Sequence, residues 1–322
     1  MSNRAALPWS DGTRPLMLAP MQGLTNRALR AEFAAWVCPD VLFTEFVRVH
    51  GASVKRRVSA ADRREIAATE GGIPLVTQLI GHGVDALTAA AREAQAAGAV
   101  HINFNMGCPY GRTTSGLTGG NMLRRPDLLC DLLPALRAAV AGGFSVKLRA
   151  GYDDPRQIFS LLPLFEKSEV DFLILHPRTV KQEYAGEADH ALTAEVVRAT
   201  TLPVIANGDI RSAEGGLRVL GATGAAGLML GRGAIADPLL FERLRGRASA
   251  TPSRSERSAM LRRYLRGLHG RYRELFCGDT QVLAKLKAVL CAMDDPDFTM
   301  AVRDLKRAAT LPRFLALVER LG

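Results

Sequence analysis

Short apolar runs recur along the first three quarters of the chain, separated by longer stretches in which Ala and Leu mix with Arg and Glu at helical spacing. The runs are Leu16–Ala19, Val41–Thr44, Pro74–Ile80, Val100–Asn105, Phe144–Leu148, Phe172–Leu175, Pro203–Ala206 and Ala226–Leu230. Between them, segments such as Thr25–Val37, Val84–Ala97, Asp127–Ala141 and Ala213–Leu220 read as helices. Eight β units alternating with helices predict an α/β fold, a closed parallel (β/α)8 TIM barrel. An open doubly wound sheet is the alternative, and strand count alone does not separate the two. After residue 245 the alternation stops. Ser249–Ser258 reads as a linker, and Met260–Leu321 has helical periodicity without a strand pattern, so the expected division is a barrel over 1–245 and a small helical domain over 246–322.

In such a barrel the C-terminal ends of the strands converge on one face, where ligands bind. Reading the run ends in order gives Pro20-Met21-Gln22, Glu45, Gln78, Asn105 with Cys108, Lys147 with Arg149, His176 with Arg178, Asn207-Gly208-Asp209 and Gly231-Arg232-Gly233. Amides at strand ends often only tie down loop backbone, a histidine before Pro177 can be structural, and an isolated cysteine can serve as a small hydrophobe. Lys147 is less easily explained that way, because an ammonium inside a barrel mouth is costly unless it faces a ligand or a carboxylate. The last two glycine-containing ends supply free N–H groups, room for close approach and a guanidinium, the features that hold a phosphate.

Charge adds one element. The chain of 322 residues has a net charge of +10, and the segment Glu242–Leu275 alone holds ten arginines against three glutamates. A run of this kind can be a solvated face, yet Arg interleaved with Tyr264, His269 and Tyr272 also suits a polyanion such as RNA, with Arg262, Arg263 and Arg266 as candidate contacts. Five cysteines with no CxxC pair argue against a disulfide framework and a structural zinc site. No apolar stretch is long enough to span a bilayer, and residues 1–15 lack the apolar segment of a signal peptide. The expectation is a cytoplasmic monomer with no membrane and no metal partner.

Together these motifs resemble the tRNA-dihydrouridine synthases. The resemblance rests on Asn105-x-Gly107-Cys108-Pro109, Lys147-Leu-Arg149-Ala-Gly151, His176-Pro-Arg178-Thr179 with Gln182, Tyr184 and Gly186, Pro203-Val-Ile-Ala-Asn207-Gly208-Asp209, and Gly231-Arg232-Gly233-Ala234. It runs from about Leu16 to Phe241, and its spaced motifs fall in the family's order.

The resemblance implies an FMN-dependent barrel with a C-terminal helical domain that reduces the C5–C6 bond of uridine in tRNA, with NADPH as electron donor. Carried over, Pro20, Met21, Gln22, Gln78, Lys147, His176, Asn207, Gly208, Asp209, Gly231 and Arg232 would hold FMN. Asn105, Arg149 and Arg178 would approach the flipped uracil or nearby RNA, and Cys108 would donate the proton. Thr44-Glu45-Phe46-Val47-Arg48-Val49 is most similar to the bacterial C-type enzymes, which act on uridine 16. Two positions depart from the family's usual pattern, Asn103 where Asp is frequent and Tyr110 where a small residue is usual. A dihydroorotate dehydrogenase-like enzyme acting on a small molecule, and an RNA-binding barrel without catalysis, are the competing readings.

Overall fold

The computed structural model describes residues 6–49, 57–68, 70–109 and 117–321; Tyr110 lies outside them. The chain alternates β1 (Leu16–Leu18), α1 (Arg27–Trp36), β2 (Leu42–Phe43), β3 (Val47–Arg48), α2 (Ala60–Ile66), β4 (Leu75–Ile80), α3 (Val84–Ala96) and β5 (His101–Met106). It continues with α4 (Leu129–Ala139), β6 (Gly143–Gly151), α5 (Gln157–Lys167), β7 (Phe172–Thr179), α6 (His190–Ala199), β8 (Val204–Asn207), α7 (Ala213–Thr223) and β9 (Gly227–Leu230). All strand pairs are parallel in the order β1-β9-β8-β7-β6-β5-β4-β2, and a bridge between Met17 and Val41 brings β1 back to β2. The predicted barrel is therefore the observed fold, and β3 is a short extra strand on the edge of β4.

Strand periodicity divides the barrel interior. Met17, Phe43, Phe172, Ile174, Ile205 and Met229 form an apolar cluster on one side. On the other, β4, β5 and β6 bury Gln78, His101, Asn103 and Ser145. Outside, helix faces pack on the second set of strand residues, as in α4, where Leu129, Leu132, Leu133 and Leu136 are buried at helical spacing.

Two boundaries differ from the sequence reading. β6 and β7 run on to Gly151 and Thr179, beyond the expected Leu148 and Leu175. They extend together, with Arg149 beside His176 and Gly151 beside Thr179 and a bulge between. That bulge accommodates Pro177, which has no N–H for a regular ladder. The expected linker is also shorter, because α10 (Arg254–Leu275) follows the short α8 (Arg232–Ala236) and α9 (Leu240–Leu244) and already begins inside it. Ser253 and Glu256 make a reciprocal capping box there, a start signal present in the sequence as Ser-x-x-Glu.

Helices α10, α11 (Asp279–Leu290), α12 (Thr299–Arg307) and α13 (Leu311–Glu319) form the C-terminal module. It shares one apolar cluster with the barrel, joining Leu29 and Phe33 of α1 and Phe241 of α9 to Tyr264, Leu268, Leu286 and Phe314. Phe33 meets Phe241 and Tyr264 edge to face, each with ring centroids 6.0 Å apart.

Helix α1 is anchored by a charge that is out of reach of water. The Arg30 guanidinium is fully buried, bonded to Thr25 O at 3.1 Å and paired with Glu65 at 3.0 Å and Glu70 at 3.2 Å. Burial pushes the Glu70 carboxyl up, against the pull of Arg30. Removing one partner of such a group strands the other. Arg30→Met is expected to cost about 3 kcal/mol in urea unfolding, and adding Glu70→Gln to recover much of it; an unchanged midpoint for the single variant would contradict this account of α1.

Candidate active site

The strand ends open into a pocket of about 340 Å³. Its lining brings together Pro20, Met21, Gln22, Asn105, Cys108, Lys147, Arg149, His176, Asn207, Gly208, Asp209, Gly231 and Arg232. Gln78 and Arg178 stand just behind the wall, and Arg262, Arg263 and Arg266 lie elsewhere, on α10.

The turn after β1 is held from within. Met21 N donates to Thr25 Oγ1 at 2.8 Å, and Thr25 N donates back to Met21 O. Glu45 then accepts the Gly23 N–H at 2.9 Å, while Lys285 of α11 donates to Gly23 O at 3.3 Å. The Met21–Gln22 edge of the pocket is thus gripped by the barrel on one side and by the C-terminal module on the other.

Beyond β5, Asn105 Oδ1 accepts the N–H groups of Gly107 and Cys108 at 3.0 and 3.1 Å, which curls the chain and presents Cys108 to the pocket. Cys108 O in turn accepts Gly120 N at 2.9 Å. A Cβ on Gly120 would lie 2.6 Å from a methyl of Val180, so this close approach requires glycine. Gly119 and Gly120 belong to the site although no sequence motif singled them out.

The cations of β6 and β7 differ in how they are used. Lys147 Nζ bonds Asn207 Oδ1 at 2.9 Å, and Asn207 is fixed through its own amide to Met229 O at 2.8 Å. Arg149, only 1% exposed, donates to the carbonyls of Gly107 (2.9 Å), Thr179 (2.9 Å) and Glu183 (2.6 Å). Arg178 bonds Asp209 at 2.6 Å, Gly186 O at 2.5 Å and the Nε2 of His176 at 3.1 Å. The guanidinium groups of Arg149 and Arg178 therefore hold loops in place, while Lys147 and Arg232 line the cavity together with Arg211, which pairs with Asp294.

Electrostatics follow from this crowding. Burial, with the positive charge of Arg149, pulls Lys147 down to about 8. Burial and the surrounding cations Lys147, Arg149, Arg178 and Arg232 pull His176 down to about 2, so its ring is neutral. Because Nε2 accepts from Arg178, Nδ1 carries the ring proton. Burial opposes the charge on Asp209, yet the hydrogen bond from Arg178 keeps its carboxyl below the usual range.

At the far end Gly208 has φ +121°, and a Cβ there would meet His176 at 2.9 Å. Asp209 follows in the left-handed region at φ +49°. No side chain caps the first turn at Gly231–Arg232, and a Cβ on Gly231 would enter the space bounded by Ala19 and Met21. Arg232 stacks 4.5 Å above the ring of Tyr184, which also lies 5.3 Å from Arg149. Phe46 also lines the cavity. A donor-rich cavity with unbalanced positive charge, next to a thiol, suits an anionic ligand rich in hydrogen-bond acceptors. Among the described residues no group of His, Cys, Asp and Glu has the arrangement of a metal site.

On α10 two of the three candidate arginines have partners. Arg263 stacks 3.7 Å from the Trp36 ring, Arg266 pairs with Glu319, and Arg262 is half-buried with its Nε unpartnered. No helix among the described residues is long and apolar enough to cross a membrane.

Comparison with known proteins gives one family. The dihydrouridine synthase family model matches residues 17–292. The chain is 34% identical over 264 residues to a tRNA-dihydrouridine(16) synthase of Cupriavidus necator, covering 80% of this chain and 82% of that protein. It is 35% identical over 230 residues to tRNA-dihydrouridine synthase B of Vibrio cholerae, covering 71% and 70%. Among solved structures, an old yellow enzyme homologue from Zymomonas mobilis superposes with a TM-score of 0.54 at 15% identity, covering 77% of this chain and 92% of that one.

The depressed Lys147 makes a prediction for the ligand-free protein. Its ammonium is charged in both states below about pH 8 and its desolvation weakens the fold there; between about 8 and 10.5 the folded chain loses the proton first and the deficit shrinks. Lys147→Met is expected to raise the melting temperature at pH 7 by on the order of 5 °C, with the gain narrowing toward pH 10. An equal gain at both pH values would show that the charge is not the cause.

Proposed function

Because this chain belongs to the dihydrouridine synthase family, we propose that it reduces uridine to 5,6-dihydrouridine in tRNA, using bound FMN and electrons from NADPH. The observation that carries the reading is the meeting of Cys108, Lys147 and the glycine-lined cationic end in one pocket. The residues fit such a cofactor. Glycine at 231 leaves open the space that a side chain would enter, and Gly208, Gly231 and Arg232 supply backbone donors and a guanidinium for its phosphate. Lys147, held by Asn207, and the Nδ1–H of neutral His176 would present donors to the ring system.

When bound and reduced by NADPH, the flavin supplies a hydride to C6 of uracil. Cys108 delivers the proton to C5 from the opposite face, on a turn whose backbone Asn105 and Gly120 hold. Lys147 provides positive charge close to the reacting centre, where low dielectric strengthens its effect. Phe46 and Tyr184 bound the mouth and suit an extruded base, which tRNA must supply because a stacked uracil is out of reach. Position 16 is proposed on Thr44–Val49 and on the Cupriavidus relative named for that position.

The α10 arginines, Arg262, Arg263 and Arg266, are proposed to contact tRNA phosphates, with Trp36 orienting Arg263 and Glu319 orienting Arg266. A reaction on tRNA with NADPH, together with five cysteines that form no CxxC pair, favours the cytoplasm, and a monomer is proposed. The family match extends through α11 into the C-terminal module, which favours this reading over a small-molecule flavoenzyme.

Cys108→Ala should retain the yellow flavin and its reduction by NADPH, while dihydrouridine formation falls about 100-fold or more. Product formation at the wild-type rate would remove Cys108 from the mechanism.

A further inference from the structure

The polar half of the barrel interior contains a chain of side chains that the reaction above leaves unused. β5 turns His101, Asn103 and Asn105 inward at every second residue, and strand register sets Gln78 on one side of Asn103 and Ser145 on the other. All five are buried. A barrel of this size normally fills these layers with branched apolar residues, so five adjacent polar ones call for an explanation.

Their hydrogen bonds run in one direction, forced from the top. Asn105 Oδ1 is occupied by the Gly107 and Cys108 N–H groups, so its Nδ2 must face Gln78 Oε1, at 2.8 Å. Gln78 then has only Nε2 to offer Asn103 Oδ1, at 2.8 Å, and Asn103 offers Nδ2 to Ser145 Oγ, at 2.9 Å. Among the described residues His101 Nε2, at 3.0 Å, is the one acceptor offered to the Ser145 hydroxyl proton, so the hydroxyl that accepts from Asn103 donates to His101. The chain can end there because burial keeps the His101 ring neutral, its pKa down at about 3.

We infer that Asn103 is a positioning residue for Cys108: by accepting from Gln78 Nε2 it keeps Gln78 Oε1 turned to Asn105 Nδ2, which holds Asn105 in the one orientation that accepts both N–H groups, and so fixes the turn that carries the thiol. The consequence for turnover rests on Cys108 being the proton donor in the reaction proposed above. An aspartate at 103 could still accept from Gln78 but has no proton for Ser145. The hydroxyl would then donate upward to the carboxylate and accept from His101, so the lower chain reverses while Asn105 keeps its orientation.

Nitrogen-15 NMR on the full chain with labelled histidine should find His101 as the Nδ1–H tautomer in the wild type and as Nε2–H in Asn103→Asp. Asn103→Leu should speed iodoacetamide labelling of Cys108, followed by peptide mass spectrometry, and lower kcat on tRNA, each by about tenfold, the factor expected for one misplaced hydrogen-bond partner. KM for tRNA and flavin content should stay within about twofold of wild type, and Asn103→Asp should restore both labelling and kcat. An Nε2–H tautomer in the wild type, unchanged labelling and kcat in Asn103→Leu, or failure of the aspartate to rescue would each overturn the inference. If Asn103→Leu does not fold, tautomer reversal with wild-type labelling in Asn103→Asp supports it and any other result opposes it. Dihydrouridine formation by Cys108→Ala would instead defeat the reaction proposed for Cys108 and leave the tautomer and labelling results to decide the chain.

Discussion

Burying cations at the mouth of a barrel is costly unless every N–H finds an acceptor, and the way this chain meets that requirement shapes the site. Arg149 draws the carbonyls of Gly107, Thr179 and Glu183 around itself, and Arg178 draws those of Ala185 and Gly186 together with Asp209. The loops after β5 and β7 take their form from these bonds. Lys147 is treated differently: one amide holds it, and its proton affinity is left depressed beside open space. The protein thus spends two guanidinium groups on architecture and leaves the Lys147 ammonium and Arg232 lining the cavity.

The C-terminal module belongs to the same physical unit. Its apolar core is continuous with that of α1 and α9, and Tyr272, buried and pushed above its ordinary range chiefly by that burial, bonds the Asn26 side chain that caps α1. Glu32 of α1 sits against α10 near Arg263 and Arg271. Lys285 reaches across to the turn that carries Met21 and Gln22. A tRNA held on the module would therefore press on an element that is already mechanically joined to the pocket edge.

Much of this could be read from the chain because parallel strands buried on both faces leave continuous apolar runs, and because residues after those runs must share one face of a barrel. That logic located the pocket lining from Pro20 to Arg232. It could not say what each polar group touches. Gln78, Asn105, Arg149 and Arg178 find partners on loops or on neighbouring strands remote in sequence, so their burial depends on register and loop paths. The ends of β6 and β7 were hidden because charged residues and Pro177 look like loop until the bulge between the two strands is seen. Gly119 and Gly120 carry no local signal beyond being glycines; the approach of Val180 and Cys108 gives them meaning. The Ser253–Glu256 capping box, by contrast, was legible and marks the start of α10 within the expected linker.

The central claim is that this pocket reduces one uridine of tRNA, and it is tested most directly by mass-spectrometric mapping of dihydrouridine in tRNA from cells lacking the protein and from cells with it restored. The account predicts loss at position 16 and its return on restoration. Loss and return at another position would contradict the assignment made from Thr44–Val49, and a dihydrouridine map unchanged by removing the protein would contradict the proposed reaction itself.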